Sequence, residues 1–242
     1  MTLKAIIFDV DGTLADTEVA HMNAFNEAFS GAGLDWYWDL PTYTDLLKVS
    51  GGKERMHHYW SSLEDGTNKP SKDEIETLVP KLHKTKTAAY ERMVAEGRVS
   101  MRPGVLEMIQ SAKAADITLA IATTTSPANI EALLSNALGA DWRETFAVVE
   151  DAETAPNKKP DPSVYIQAVK RLGVEAKECI AFEDTANGLR AATAAGVATV
   201  ITPNEFSMEH DFSGAAKVIS SMEEINLRRL ENLLDMIAHY YF

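Results

Sequence analysis

The strongest constraint on how this chain can fold is a set of short runs that are apolar almost throughout, leaving neither face for water. Ala5-Ile6-Ile7-Phe8, Ile117-Thr118-Leu119-Ala120-Ile121-Ala122, Phe146-Ala147-Val148-Val149, Cys179-Ile180-Ala181-Phe182 and Ala198-Thr199-Val200-Ile201 are of this kind, with a weaker sixth at Lys217-Val218-Ile219. A strand that is wet on one side alternates apolar and polar residues. A run without that alternation fits a parallel strand covered by helices on both faces. Segments with helical spacing lie between the runs, at 105–115, 127–138, 162–172 and 185–195, and Gly196 stands where a helix would end. Strand alternating with helix predicts an α/β fold with a parallel sheet. A closing amphipathic helix is expected over 222–241, with Leu227, Leu230, Leu233, Leu234 and Ile237 on one side.

The alternation is interrupted once. From 16 to 97 there is no strand pattern, and helical spacing dominates at 18–29, 42–48, 53–61 and 72–95. The stretch Asp65-Gly66-Thr67-Asn68-Lys69-Pro70 is a loop signal. An all-helical insert directly after the first strand predicts a cap domain, 16–97, over a core assembled from 1–15 and 98–242. With 45% apolar residues the chain can bury a substantial core.

Charge narrows the function. The 36 acidic residues outnumber the 23 basic ones, for a net charge of -13. Such a surface repels nucleic acid and anionic membrane, so neither is an expected partner. No window holds 18 apolar residues, and Met1-Thr2-Leu3-Lys4 runs straight into a strand pattern without a signal-peptide core, so a cytoplasmic protein is expected. Cys179, the single cysteine, can form no intramolecular disulfide and reads as a small buried hydrophobe.

In open parallel sheets, ligands bind at the carboxyl ends of the strands. The first run leads into Asp9-Val10-Asp11-Gly12-Thr13, the second into Thr123-Thr124-Thr125-Ser126, the third through a loop into Lys158-Lys159-Pro160, and the fourth into Glu183-Asp184. Each alone has an ordinary explanation. Asp-Gly pairs make turns, Ser126-Pro127 opens a helix, Lys158-Lys159-Pro160 suits a solvated loop, and Glu183-Asp184 complements a helix N-terminus. Four such signals at four strand ends are harder to explain by turns and caps. The residue types suit phosphoryl transfer. One of two carboxylates spaced as Asp9 and Asp11 can attack phosphorus while the other handles the proton of the leaving alcohol. Magnesium takes oxygen ligands and offsets the repulsion between an acidic protein and an anionic substrate. A threonine hydroxyl and a lysine can hold the remaining phosphoryl oxygens.

These residues carry a resemblance. Asp9-Val10-Asp11-Gly12-Thr13-Leu14 resembles the first motif of the haloacid-dehalogenase superfamily, and Thr123, Lys159 and Glu183-Asp184 resemble its second, third and fourth. Phe182-Glu183-Asp184-Thr185-Ala186-Asn187-Gly188, followed by Ala191-Ala192-Thr193-Ala194-Ala195-Gly196, is similar to the β-phosphoglucomutase-like branch. The resemblance implies a Rossmann-like core with an α-helical cap inserted after the first strand. It implies Asp9 as nucleophile, Asp11 as acid/base, Thr123 and Lys159 as phosphate-holding groups, and Mg2+ on Asp9, the Asp11 carbonyl and Asp184, with Glu183 nearby.

Within the insert, Gly33-Leu34-Asp35-Trp36-Tyr37-Trp38-Asp39 and Gly51-Gly52-Lys53-Glu54-Arg55 resemble the CbbY-type sugar-bisphosphate phosphatases, and Thr123-Thr124-Thr125 fits the same group. That likeness implies a small phosphorylated sugar as substrate, with xylulose-1,5-bisphosphate as the leading candidate. The chain is expected to act as a monomer. Trp36 and Trp38 are expected in the cap core. Gly51 and Gly52 either admit a ligand close to the backbone or make a turn. Lys53 and Arg55 either hold a second phosphate or are solvated helix charges. Glu18 and His21 either meet sugar hydroxyls or lie on a helix surface, and Thr124 is a further candidate for binding substrate. Two rival functions remain: a phosphomutase with the same four motifs, and a non-catalytic binding protein on this fold.

Overall fold

The structure is a computed structural model that describes residues 2–64 and 69–241. The expected loop at Asp65 to Asn68 lies outside the described residues. Six strands form one parallel sheet: β1 (Ala5–Phe8), β2 (Thr118–Ala122), β3 (Val148–Glu150), β4 (Cys179–Glu183), β5 (Ala198–Ile201) and β6 (Lys217–Val218), in the order β3-β2-β1-β4-β5-β6. Phe8 pairs in register with Ile121 on one side and Phe182 on the other, so three strand ends finish level.

Alternation along each strand divides the core. Ile6, Phe8, Leu119, Ile121, Ile180 and Phe182 face α5 (Val105–Ala114) and α9 (Leu227–Tyr241), whose Val105, Ile109, Leu230 and Leu234 share one buried cluster with them. Ala5, Ile7, Ala120, Ala122, Cys179 and Ala181 face α7 (Ser163–Leu172) and α8 (Ala186–Ala194). The second face is built of small side chains, which lets those two helices sit close to the sheet. α6 (Pro127–Leu138) opens on Ser126, whose side chain accepts from Asn129 N. Strand β6 stands at the edge of the sheet and is exposed at both residues, unlike the buried strands inside it. The expected helix over 222–241 is broken: a single 3-10 turn at Met222–Glu224 precedes α9.

Cys179 is fully buried, and burial pushes its thiol pKa up to about 12. The native protein is therefore expected to resist alkylation by iodoacetamide at about pH 8 and to react only after denaturation, a difference that mass spectrometry reads directly.

Among the described residues, four helices occupy the insert: α1 (Glu18–Gly31), α2 (Leu40–Leu46), α3 (Gly52–Ser62) and α4 (Lys72–Ala95). Helix α2 starts two residues earlier than its spacing suggests, because Asp39 caps it by accepting from Thr42 N and Pro41 fits its first turn. Helix α4 opens on a capping box between Ser71 and Glu74. Phe25, Phe29, Trp36, Trp38, Tyr43 and Met56 pack against Ile75, Val79 and Leu82 in a cluster of their own, so both tryptophans are packing residues. Asn26 grips the backbone N and O of Trp38, both at 2.8 Å. Where the insert meets the core, its two ends run side by side. Ala15 bridges Met101, Asp16 N donates to Ser100 O at 3.1 Å, and Arg102 N donates to Leu14 O at 2.8 Å. Among the described residues, no helix is long and apolar enough to cross a membrane.

Candidate active site

Strand β1 is central, and the chain builds β2 on one side of it and β4 on the other, so the loops leaving these strands diverge and open a crevice. Asp9 and Asp11 follow β1, Thr123 and Thr124 follow β2, and Glu183 and Asp184 stand at the end of β4. Lys159 arrives on the loop between β3 and α7. Helices α1, α3 and α4 form the facing wall. Between them lies a cavity of about 720 Å³. It is lined by Asp9, Asp11, Thr123, Thr124, Lys159, Glu183 and Asp184 from the core and by Glu18, His21, Gly51, Gly52, Lys53 and Arg55 from the insert. The structure thus brings all of the sequence-derived candidates to one place.

Lys159 is the hub of the floor. Its buried ammonium donates to Asp9 Oδ1 at 2.6 Å, to Glu183 Oε1 at 2.6 Å and to the Ala122 carbonyl at 2.9 Å. Burial alone would lower its pKa, but the two carboxylates more than reverse that and keep it charged. Burial raises the pKa of Asp9, of Glu183 to about 7, and of Asp184 well above the carboxylate range, where Asp9 and Glu183 add their repulsion. Two of these three buried carboxylates, Asp9 and Glu183, share one ammonium, and Asp184 stands beside them without it.

One oxygen from each of Asp9, Glu183 and Asp184 lies within 4.8 Å of the other two. Hard oxygens gathered this closely, with negative charge in surplus, fit a small divalent cation. Two further contacts fix Asp184: Thr13 Oγ1 donates to Oδ1 at 3.4 Å and Asn204 Nδ2 to Oδ2 at 2.8 Å. Gly12 is required here. Its φ is +76°, and a Cβ would run into the Asp184 carboxylate and the Asn204 amide.

The Asp11 carboxylate stands outside this cluster and faces the insert. His21 Nε2 lies 2.8 Å from Asp11 Oδ1, and Lys86 Nζ lies 2.8 Å from His21 Nδ1. An ammonium can only donate, so Nδ1 accepts, and the neutral ring carries its proton on Nε2 and donates it to Asp11. Burial, and then the Lys86 charge, lower the His21 pKa, which favours that neutral form. Burial pushes Lys86 down to about 8 against the attraction of Asp11. Burial opposes ionisation of Asp11, but His21 and Lys86 overcome it and hold this carboxyl below the usual range. His21 also stacks on Tyr90 at 4.1 Å, and is no surface residue.

On the insert side, Gly51 has φ +94° and stands at the N-cap of α3. Lys53 is exposed and lines the cavity. Arg55 is committed to its own segment: it donates to Leu46 O at 3.2 Å, Val49 O at 3.3 Å and the Tyr43 hydroxyl at 3.3 Å, and lies over the Tyr43 ring. The Tyr43 hydroxyl in turn donates to Glu18 Oε2 at 2.7 Å. From the core, Asn187 Nδ2 donates to Lys48 O at 3.0 Å and lies 3.3 Å from Ser50 Oγ, docking the loop that precedes Gly51.

A sheet whose central strand ends in paired carboxylates, with a buried lysine and an acidic cluster beside them and helices closing the far side, defines a hydrolase of the phosphatase class. The chain belongs to the haloacid dehalogenase-like hydrolase family, whose profile matches residues 3–196, and within it to the CbbY-type branch. Protein CbbY of the Cupriavidus necator plasmid is 52% identical over 217 residues, covering 90% of this chain and 85% of that one. Protein CbbY of Rhodobacter capsulatus is 46% identical, covering 89% and 92%. The crystal structure of CbbY from Rhodobacter sphaeroides in complex with phosphate superposes with a TM-score of 0.85 at 39% identity, covering 92% of this chain and 96% of that one. A variant of that protein has been crystallised with xylulose-1,5-bisphosphate.

Proposed function

We propose that the protein is a magnesium-dependent phosphatase of xylulose-1,5-bisphosphate or a closely similar sugar bisphosphate, working through an aspartyl-phosphate on Asp9. The observation that carries this reading is the placement of Asp9 on the cavity floor, held at 2.6 Å by Lys159, with Asp11 presented beside it on a His21–Lys86 relay. The CbbY relatives, one of them crystallised with xylulose-1,5-bisphosphate, support the choice of sugar.

In the first half-reaction a carboxylate oxygen of Asp9 attacks phosphorus and the bond from phosphorus to the sugar oxygen breaks. Asp11 supplies the proton that the leaving oxygen needs. Asp11 rests ionised under the influence of His21 and Lys86, and a phosphate dianion brought alongside adds the negative charge that favours its acid form. In the second half-reaction water attacks the aspartyl-phosphate, Asp11 takes its proton, and the bond to Asp9 breaks. Lys159 and the Thr123 hydroxyl hold phosphoryl oxygens throughout. Magnesium held by Asp9 and Asp184, with Glu183 beside them and the Asp11 carbonyl as the family pattern implies, supplies charge neutralisation for an anionic substrate. Residues 16–97 act as a cap that excludes bulk water and reads the distal end of the sugar.

The test is release of inorganic phosphate across sugar mono- and bisphosphates. Loss of the bisphosphate preference, or a sugar-phosphate isomer as product in place of free phosphate, would overturn the reading. Lys53 and Arg55 sharpen it. Lys53→Ala should lower kcat/KM for the bisphosphate by about 1.5–3 kcal/mol, roughly ten- to a hundred-fold, and spare a monophosphate that never reached it. Arg55→Ala removes the clasp on Leu46, Val49 and Tyr43 as well as a charge, and should weaken both substrates.

A further inference from the structure

We propose that Tyr165, which belongs to none of the motifs that define the site, is a positioning residue: its hydroxyl fixes the orientation of Glu183 and thereby lets the carboxylate cluster bind a divalent cation. The inference rests on the reading that Asp9 and Asp184, with Glu183 beside them, hold magnesium.

Tyr165 lies in the first turn of α7, is fully buried, and is absent from the cavity lining, so it does not touch substrate. Its hydroxyl donates to Glu183 Oε1 at 2.6 Å. The same oxygen accepts from Lys159 Nζ at 2.6 Å, and that ammonium sits 5.2 Å from the centroid of the Tyr165 ring. A carboxylate oxygen has two lone-pair sites, so these two donors satisfy Oε1. With Oε1 occupied, rotation of the carboxylate about its last bond is fixed, and with it the direction of Oε2. The carboxylate also lies flat on the bare backbone of Gly188, where a Cβ would collide with it. Glu183 is thus gripped by a phenol, an ammonium and a glycine. Burial and the Glu183 charge raise the pKa of the phenol well above its ordinary value, so the hydroxyl stays a donor.

Phenylalanine would supply the same ring, the same packing in the small-residue face of the sheet and the same surface beneath Lys159. The hydroxyl has one evident use, which is to aim Glu183. Groups that orient metal ligands in this way typically matter ten- to a hundred-fold in ion affinity.

The experiment measures manganese(II) binding to substrate-free protein by electron paramagnetic resonance, with manganese as the visible stand-in for magnesium. Wild type is compared with Tyr165→Phe and with Val164→Ala, its fully buried neighbour on the same helix. Melting curves by circular dichroism set a working temperature well below all three transitions. Tyr165→Phe is expected to bind the ion about ten- to a hundred-fold more weakly, to need correspondingly more magnesium for half-maximal phosphate release, and to keep its KM for the sugar phosphate. Val164→Ala is expected to lose stability and keep ion affinity. Wild-type affinity in Tyr165→Phe would overturn the inference while leaving the proposed function standing. An equal loss in Val164→Ala would also overturn it, by showing that packing alone sets the affinity. Absence of ion binding by the wild type would instead remove the magnesium reading on which the inference rests.

Discussion

Asp9→Asn is expected to abolish turnover and to leave a folded protein that still binds its substrate. An amide is too poor a nucleophile to displace a sugar alkoxide from phosphorus, and no other carboxylate occupies the position at the end of the central strand. Removing a nucleophile ordinarily costs several decades in kcat, so residual activity above about 1% of wild type would sink the covalent mechanism. The fold should tolerate the change. Asp9 ionises against a burial penalty, so replacing the charge by a neutral isostere relieves part of that penalty. Lys159 keeps the Glu183 carboxylate and the Ala122 carbonyl as partners. The checks are single-turnover phosphate release, a melting curve, and calorimetric titration with xylulose-1,5-bisphosphate.

Removing divalent ions is expected to have an effect of comparable size. In excess chelator, phosphate release should fall to background and return on adding magnesium. Calcium should not restore it, because it accepts more oxygen ligands at longer distances and would draw the Asp9 carboxylate out of line. A second readout is independent of activity. With three buried carboxylates clustered and only Asp9 and Glu183 paired to Lys159, an ion that binds only the folded state should stabilise it, by about 2.7 kcal/mol at a hundred times its dissociation constant. Full activity in chelator, or a melting temperature indifferent to magnesium, would count against the metal assignment.

Much of the fold was legible because unalternating apolar runs leave little choice but a covered parallel sheet, and the ends of those runs pointed to the crevice. The residues that sequence reasoning missed were missed for identifiable reasons. Lys86 sits in a helix rich in lysine, where its charge reads as solvated. Yet it occupies the buried stripe set by Ile75, Val79, Leu82, Tyr90 and Met93, and a lysine at such a position is a signal. Asn204 follows β5 in the stretch Thr202-Pro203-Asn204, which reads as an ordinary loop, and only its 2.8 Å contact with Asp184 gives it a use. Tyr165 reads as an ordinary core aromatic on α7, and only the distance from its hydroxyl to Glu183 gives it a further use. Glycine at position 12 was visible as a turn, but the carboxylate that requires it was 172 residues away in sequence and came near only through the sheet. The breaks at 225–226 and the exposure of β6 depend on what lies alongside, which local spacing does not encode.

The paired ends of the insert have a bearing on ancestry and engineering. Between Leu14 and Arg102 the chain leaves the sheet and returns along the same narrow stem, stitched by the Ala15–Met101 bridge and flanking backbone hydrogen bonds. Arg102 then rivets the return to the core by donating to the carbonyls of Gly12, Thr202 and Pro203. Whatever is spliced beyond that stem meets the sheet at two neighbouring points, and the entropy of closing the splice grows only slowly with its length. Such a graft site lets a lineage trade one lid for another, and with it one substrate range for another, while Asp9, Lys159 and Asp184 stay where they are.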